Sequence, residues 1–146
     1  MIEAFTLAQR AGRPNEPSRL SESVLVMVDC QNTYTTGVMT LNGIEAAMAE
    51  AARVLEKARA TGTPVIHIMH DSGPGSAYDI RSEIGQIHPS VAPRDGEATV
   101  IKNLPNSFAK TDLQAKLEAI GRKNLIMAGF MTHMCINSTA RGGSFK

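Results

Sequence analysis

Residues Val24-Leu25-Val26-Met27-Val28 form the longest glycine-free apolar run in the chain, and it stops at Asp29. Five apolar residues with no polar alternation fit a strand covered on both faces, as in a parallel sheet. Three more β-rich runs follow: Pro64 to Ile68, Thr99 to Ile101 ending at Lys102, and Leu125 to Ala128 ending at Gly129. Between them the apolar spacing changes to a helical one. Ile44, Met48, Ala52 and Leu55 share a helix face that Asn42 can cap and Gly62 can close. Leu113, Leu117 and Ile120 make a second helix ended by Gly121, and Thr132 is a good N-cap for a third that runs through Cys135 toward Arg141. Asp71 to Gly96 is polar and glycine-rich, without periodicity. Strand, helix, strand, loop, strand, helix, strand, helix is the order of an α/β fold with a parallel sheet. We expect a polar arm over 1–22 and one domain over 23–146, a division suited to 146 residues.

Composition removes several functions. With 15 Lys+Arg against 14 Asp+Glu, the chain lacks the basic surplus of a nucleic-acid binder. Aromatics are 4% with no Trp, so stacked platforms for single strands are not expected either. The longest apolar run is far below the roughly 18 residues a membrane span needs. Glu3, Arg10, Arg13 and Glu16 leave the first twenty residues without a stretch fit for a secretory signal. Two cysteines, Cys30 and Cys135, make neither a disulfide framework nor a CxxC metal pair. A soluble, cytoplasmic domain is the expectation.

In parallel α/β sheets ligands bind beyond the carboxyl ends of the strands. Asp29, Lys102 and Cys135 fall at or just after such ends, where the fold would bring them together. A thiol attacks as thiolate and needs a base and a positive surrounding. Asp29 could take the proton and Lys102 hold the charge, while the start of a helix at Thr132 would aim its dipole at the sulfur. That arrangement predicts a Cys135 thiol pKa lowered from the usual ~8.5 toward or below neutrality. Ordinary alternatives stand beside it: a capping carboxylate, a surface lysine, an inert core cysteine.

The segment Val28-Asp29-Cys30-Gln31-Asn32-Thr33-Tyr34 resembles the D-x-Q-x-x-F motif of the isochorismatase-like cysteine hydrolases. Val100-Ile101-Lys102 with Asn106-Ser107-Phe108 resembles that family's lysine strand and downstream S-x-F. Gly129-Phe130-Met131-Thr132-His133-Met134-Cys135 is similar to its G-x-x-T-x-x-C nucleophile turn. The three come in family order from about Val24 to Gly142. The resemblance implies an Asp29–Lys102–Cys135 triad in a Rossmann-like, three-layer fold with strand order 3-2-1-4. It also implies a cis peptide at Phe130–Met131, an oxyanion hole from the backbone N–H groups of Met131 and Cys135, and a pocket lined by Gln31, Tyr34 and Phe108.

Departures refine this. Tyr34 stands where the family usually has Phe. Nicotinamidases of the family hold a metal with Asp-x-His after the second strand, whereas here the run is His67-Ile68-Met69-His70-Asp71. His67 and His70 would point to opposite faces of a strand, a poor arrangement for shared ligation. We therefore expect no metal and no cofactor, with His70 or Asp71 as substrate contacts or solvated loop residues. Cys30, next to Asp29, is expected to be buried and inert. Family domains continue with further strands and a helix, so the fourth strand would leave an open edge, and a homo-oligomer is the expected remedy. The leading function is a cysteine hydrolase that cleaves a C–N bond of a small amide, carbamoyl or ureido compound through a Cys135 thioester. The alternatives are isochorismatase-type vinyl-ether hydrolysis without the thiol, and a silent fragment or assembly module.

Overall fold

A computed structural model describes residues 6–12 and 16–143. Residues 1–5 and 13–15 of the arm over 1–22 lie outside the described residues. Its described part contains one helical turn, Leu7–Arg10, and a short 3-10 turn at Leu20–Glu22. From there the chain runs β1 (Ser23–Val28), α1 (Ile44–Ala60), β2 (Val65–His70), β3 (Ala98–Lys102), α2 (Leu113–Ile120), β4 (Asn124–Gly129) and α3 (Asn137–Gly143).

The four strands form one parallel sheet in the order β3-β2-β1-β4, the order expected. All six residues of β1 are buried, as its unbroken apolar run requires of a central strand covered on both sides. Alternation divides its side chains between two cores. Leu25 and Met27 pack with Ile44, Met48, Ala51 and Leu55 of α1 on one face. Val24, Val26 and Val28 pack with Ile66, Ile68, Val100 and the α2 residues Leu113 and Leu117 on the other. A fully buried side chain such as Leu55 contributes about 1.5–3 kcal/mol by leaving water. The shared strand ends put Asp29, His70 and Lys102 along one rim of the sheet.

Three local details differ from expectation. The residue before α1 is Gly43 in left-handed conformation (φ 73°), without a side-chain cap, so Asn42 does not close that helix end. The second strand extends two residues beyond Ile68, to His70. Thr132 does not cap an α-helix: Thr132–Ile136 is a π-type turn, and the α-helix begins at Asn137. The wider turn carries Cys135 back over the sheet, where the sulfur joins the core beside Val28 and Val100.

Candidate active site

The site begins with an abrupt end to β1. Asp29 takes a left-handed φ of 52°, a conformation Asp tolerates better than most residues, while its N–H still bonds the Ile68 carbonyl at 3.1 Å. β4 ends just as tightly. Gly129 has φ 136°, and a Cβ there would run into the Val28 carbonyl, so only glycine permits this approach. The next peptide, Phe130–Met131, is cis.

Asp29 and Lys102 are both 0% exposed, and Lys102 Nζ lies 2.8 Å from Asp29 Oδ2. The same ammonium donates to Cys135 Sγ at 3.2 Å and meets His70 Nδ1 at 3.0 Å. Asp29, His70 and Cys135 each bring one donor atom within 4.8 Å of the others. Carboxylate, imidazole and thiolate are ligands a zinc ion would accept. Here Lys102 Nζ already contacts all three, so the cation of this cluster is the protein's own.

A cavity of about 330 Å³ opens onto the sulfur, lined by Tyr34, His70, Tyr78, Asn103, Pro105, Met131, Met134 and Cys135. Tyr78 donates its hydroxyl hydrogen to the Tyr34 oxygen at 3.2 Å, and its ring meets His70 edge-on with centroids 5.0 Å apart.

Comparison with known proteins agrees with this geometry. The Isochorismatase domain matches residues 23–145. The chain belongs to the isochorismatase family. Over 134 residues it is 36% identical to the secreted isochorismatase effector Isc1 of Verticillium dahliae, covering 91% of this chain and 70% of that one. It is 28% identical to the ureidoacrylate amidohydrolase RutB of Azorhizobium caulinodans, covering 89% and 75% of the two chains. The crystal structure of an isochorismatase from Pseudomonas putida KT2440 superposes with a TM-score of 0.90 at 34% identity, over 98% of this chain and 74% of that one.

Within this isochorismatase-family site, the structure brings together Asp29, Lys102, Cys135, Tyr34 and Met131, all predicted from sequence. Gln31 is close but does not line the cavity. It is fully buried, and its amide bonds the main chain of His70 and Gly85. Phe108 is elsewhere. A turn closed by Asn106 Oδ1 accepting the Phe108 N–H sends its ring beneath α3, toward Leu125 and Gly143. There it lines a separate groove with Leu117 and Arg122.

His70, expected as a substrate contact or solvated loop residue, ends β2 rather than standing in a loop; it lines the cavity and also meets the lysine. Its parity with Ile66 and Ile68 was the available signal, because that face of β2 is the face of Lys102 and Cys135. Tyr78 and Asn103 carried no comparable signal.

The expected drop in the Cys135 pKa does not occur. Burial and the neighbouring Asp29 charge push the thiol up to about 11, against the opposing pull of Lys102. Burial likewise raises the Asp29 carboxyl above its ordinary value, again against Lys102. Burial thus opposes ionisation of both acids, and the one ammonium between them favours it in each. The cluster is therefore suited to passing one proton between sulfur and carboxylate. Cys30, almost fully buried, is pushed up to about 12.

Among the described residues, no helix is long and apolar enough to cross a membrane.

Proposed function

We propose that the protein is a cysteine hydrolase that cleaves a C–N bond of a small, uncharged amide, carbamoyl or ureido compound. The observation that carries this reading is the contact of one buried ammonium with both Asp29 and Cys135, which permits proton exchange at constant net charge. Asp29 takes the Cys135 proton as the sulfur attacks the carbonyl carbon. The tetrahedral oxyanion lies against the backbone N–H groups of Met131 and Cys135. Collapse breaks the C–N bond, and the proton on Asp29 passes to the departing amine. Water, deprotonated by Asp29, then attacks the thioester and frees the acid and the thiol. Lys102 offsets the negative charge at each stage. The name of the ureidoacrylate amidohydrolase relative supports amide chemistry.

The size and lining of the cavity support the substrate class. It holds two tyrosines, two methionines, a proline and an asparagine, but no arginine, and Lys102 is committed to the triad. Isochorismate, with two carboxylates, would find no free cation among the described residues that line it. A cytoplasmic homo-oligomer is the setting we propose. Exposed Val38, Leu104 and Met134 supply apolar surface for association.

The test is a panel of small neutral amides, carbamates and ureas, assayed for amine or ammonia release. Intact mass after rapid quenching should show an acyl adduct on Cys135. Turnover that survives Cys135→Ala would overturn the proposal.

A further inference from the structure

A lysine ammonium carries three N–H donors, and Lys102 is fully buried, so water cannot stand in for a missing acceptor. Two donors serve Asp29 and Cys135, the groups that exchange the proton. The third meets His70 Nδ1 at 3.0 Å. With Nδ1 accepting, the ring proton sits on Nε2, which lies 3.0 Å from Ser72 Oγ and donates to it. Burial and the Lys102 charge both lower the His70 pKa and keep the ring in this neutral form.

The backbone of His70 is held as firmly as its ring. Its N–H donates to Gln31 Oε1 at 2.9 Å, and its carbonyl accepts from Gln31 Nε2 at 3.0 Å. Gln31 Nε2 also donates to the Gly85 carbonyl at 2.6 Å, fixing the amide from the far side. The edge of the Tyr78 ring contact restrains the remaining side. One buried amide thus clamps both main-chain polar groups of the residue that receives the third lysine donor.

We propose that His70 is a positioning residue for Lys102, anchoring the ammonium midway between Asp29 and Cys135, with Gln31 as the clamp that sets its height. Without that anchor the ammonium would turn toward the carboxylate, the stronger acceptor, and away from sulfur. As negative charge passes between carboxylate and sulfur, a neutral acceptor holds the cation in place without competing for the charge. This role rests on the cysteine-hydrolase reading, yet its geometry can be tested without a substrate.

The test compares His70→Asn with His70→Gln. Asparagine carries Oδ1 as many bonds from Cα as Nδ1 of histidine, so it can still accept from Lys102. Glutamine moves its acceptor one carbon further out. The first readout is alkylation of Cys135 by iodoacetamide as a function of pH, with mass spectrometry assigning the site. His70→Gln should move that profile upward by about one pH unit, while His70→Asn stays close to the wild type. The second readout is turnover on whichever amide the panel identifies. His70→Gln should lose about tenfold or more in kcat, and His70→Asn about threefold or less, with KM changing alike in both. His70→Ala repeats the comparison without added bulk and should behave like His70→Gln. Equal profiles for Asn, Gln and Ala would overturn the proposal. A wild type without amide turnover would sink the hydrolase reading alone, because the alkylation comparison would still stand.

Discussion

Strand β2 carries two histidines three residues apart, and the polar clusters they join are built on opposite principles. On the α1 face His67 Nε2 lies 2.8 Å from Glu97 Oε2. Arg59 spans both Glu97 oxygens at 2.7 and 2.8 Å, and the Arg94 N–H adds a fourth contact at 2.9 Å. On the other face His70 joins Lys102, Asp29 and Cys135. The Asp29 carboxylate meets only the Lys102 ammonium, at 2.8 Å, and the Cys135 thiol among the described side chains that act on it as donors. The consequences diverge. Led by the Arg59 hydrogen bonds, the donors around Glu97 hold its pKa down to about 2, whereas burial prevails at Asp29 and raises it. Both carboxylates face a cation. The number of N–H groups that solvate the anion decides which one is a fixed brace and which one can accept a proton.

The comparison predicts opposite phenotypes. The largest effect should be on turnover: Cys135→Ala or Asp29→Asn should lose about a thousandfold or more in kcat, because each removes a party to the proton exchange. Glu97→Gln should leave kcat within a few fold. An amide-release assay checks all three, and a matching collapse in Glu97→Gln would erase the distinction.

Stability should reverse the ranking. Glu97→Gln removes the more buried of the two carboxylates that pair with Arg59, leaving Glu56, and should cost about 2–3 kcal/mol in urea denaturation, whereas Cys135→Ala should cost about 1 kcal/mol. The pH dependence has a definite sign. The folded pKa of Glu97 lies below its unfolded value of 4.5, so its contribution is present above 4.5 and fades as pH falls toward 2. Burial also lowers His67, so its neutral form stabilises above its ordinary 6.5 and is lost on acidification. Asp29 has the opposite sign: its raised pKa favours the fold in the protonated form and ceases to do so as pH rises. The stability gap between wild type and Glu97→Gln should therefore narrow as pH falls from 5 to 3, by about a kcal/mol or more. A gap independent of pH would show that Glu97 does not titrate as its partners require.

Labelling sharpens the other side. Iodoacetamide should modify wild-type Cys135 slowly at neutral pH and increasingly toward pH 11, with Cys30 lagging behind it. Asp29→Asn removes the neighbouring negative charge and should shift the Cys135 profile downward, and Lys102→Met should shift it upward. Fast labelling of wild-type Cys135 at pH 6 would contradict the buried, shared-proton arrangement. The smallest expected effect is that of Tyr78→Phe. It removes one hydroxyl contact with Tyr34 and should cost about 1 kcal/mol or less in stability.

Much of this fold is readable in one dimension. The unbroken Val24–Val28 run specified a strand buried on both faces, and the runs from Pro64, to Lys102 and to Gly129 specified the other parallel strands, while the family resemblance supplied their order. Because polar residues interrupt such runs at strand ends, Asp29 and Lys102 marked the rim of the candidate site, and motif order added Cys135. Period-2 alternation also separated His67 from His70 correctly, since side-chain direction along a strand is a local property.

What the sequence by itself determined was which residues stand at the strand ends and which face each strand presents, because both follow from local backbone geometry. Only the tertiary structure decided their chemistry. Nothing local shows that Gln31 grips the backbone of a residue 39 positions away, that Phe108 turns beneath α3, or that a π-type turn sinks the sulfur into the core. The thiol pKa depends on the water excluded and on the charges brought near by different strands, so a thiol expected, from a helix start and Lys102 beside it, to have a lowered pKa lies in a site that raises it.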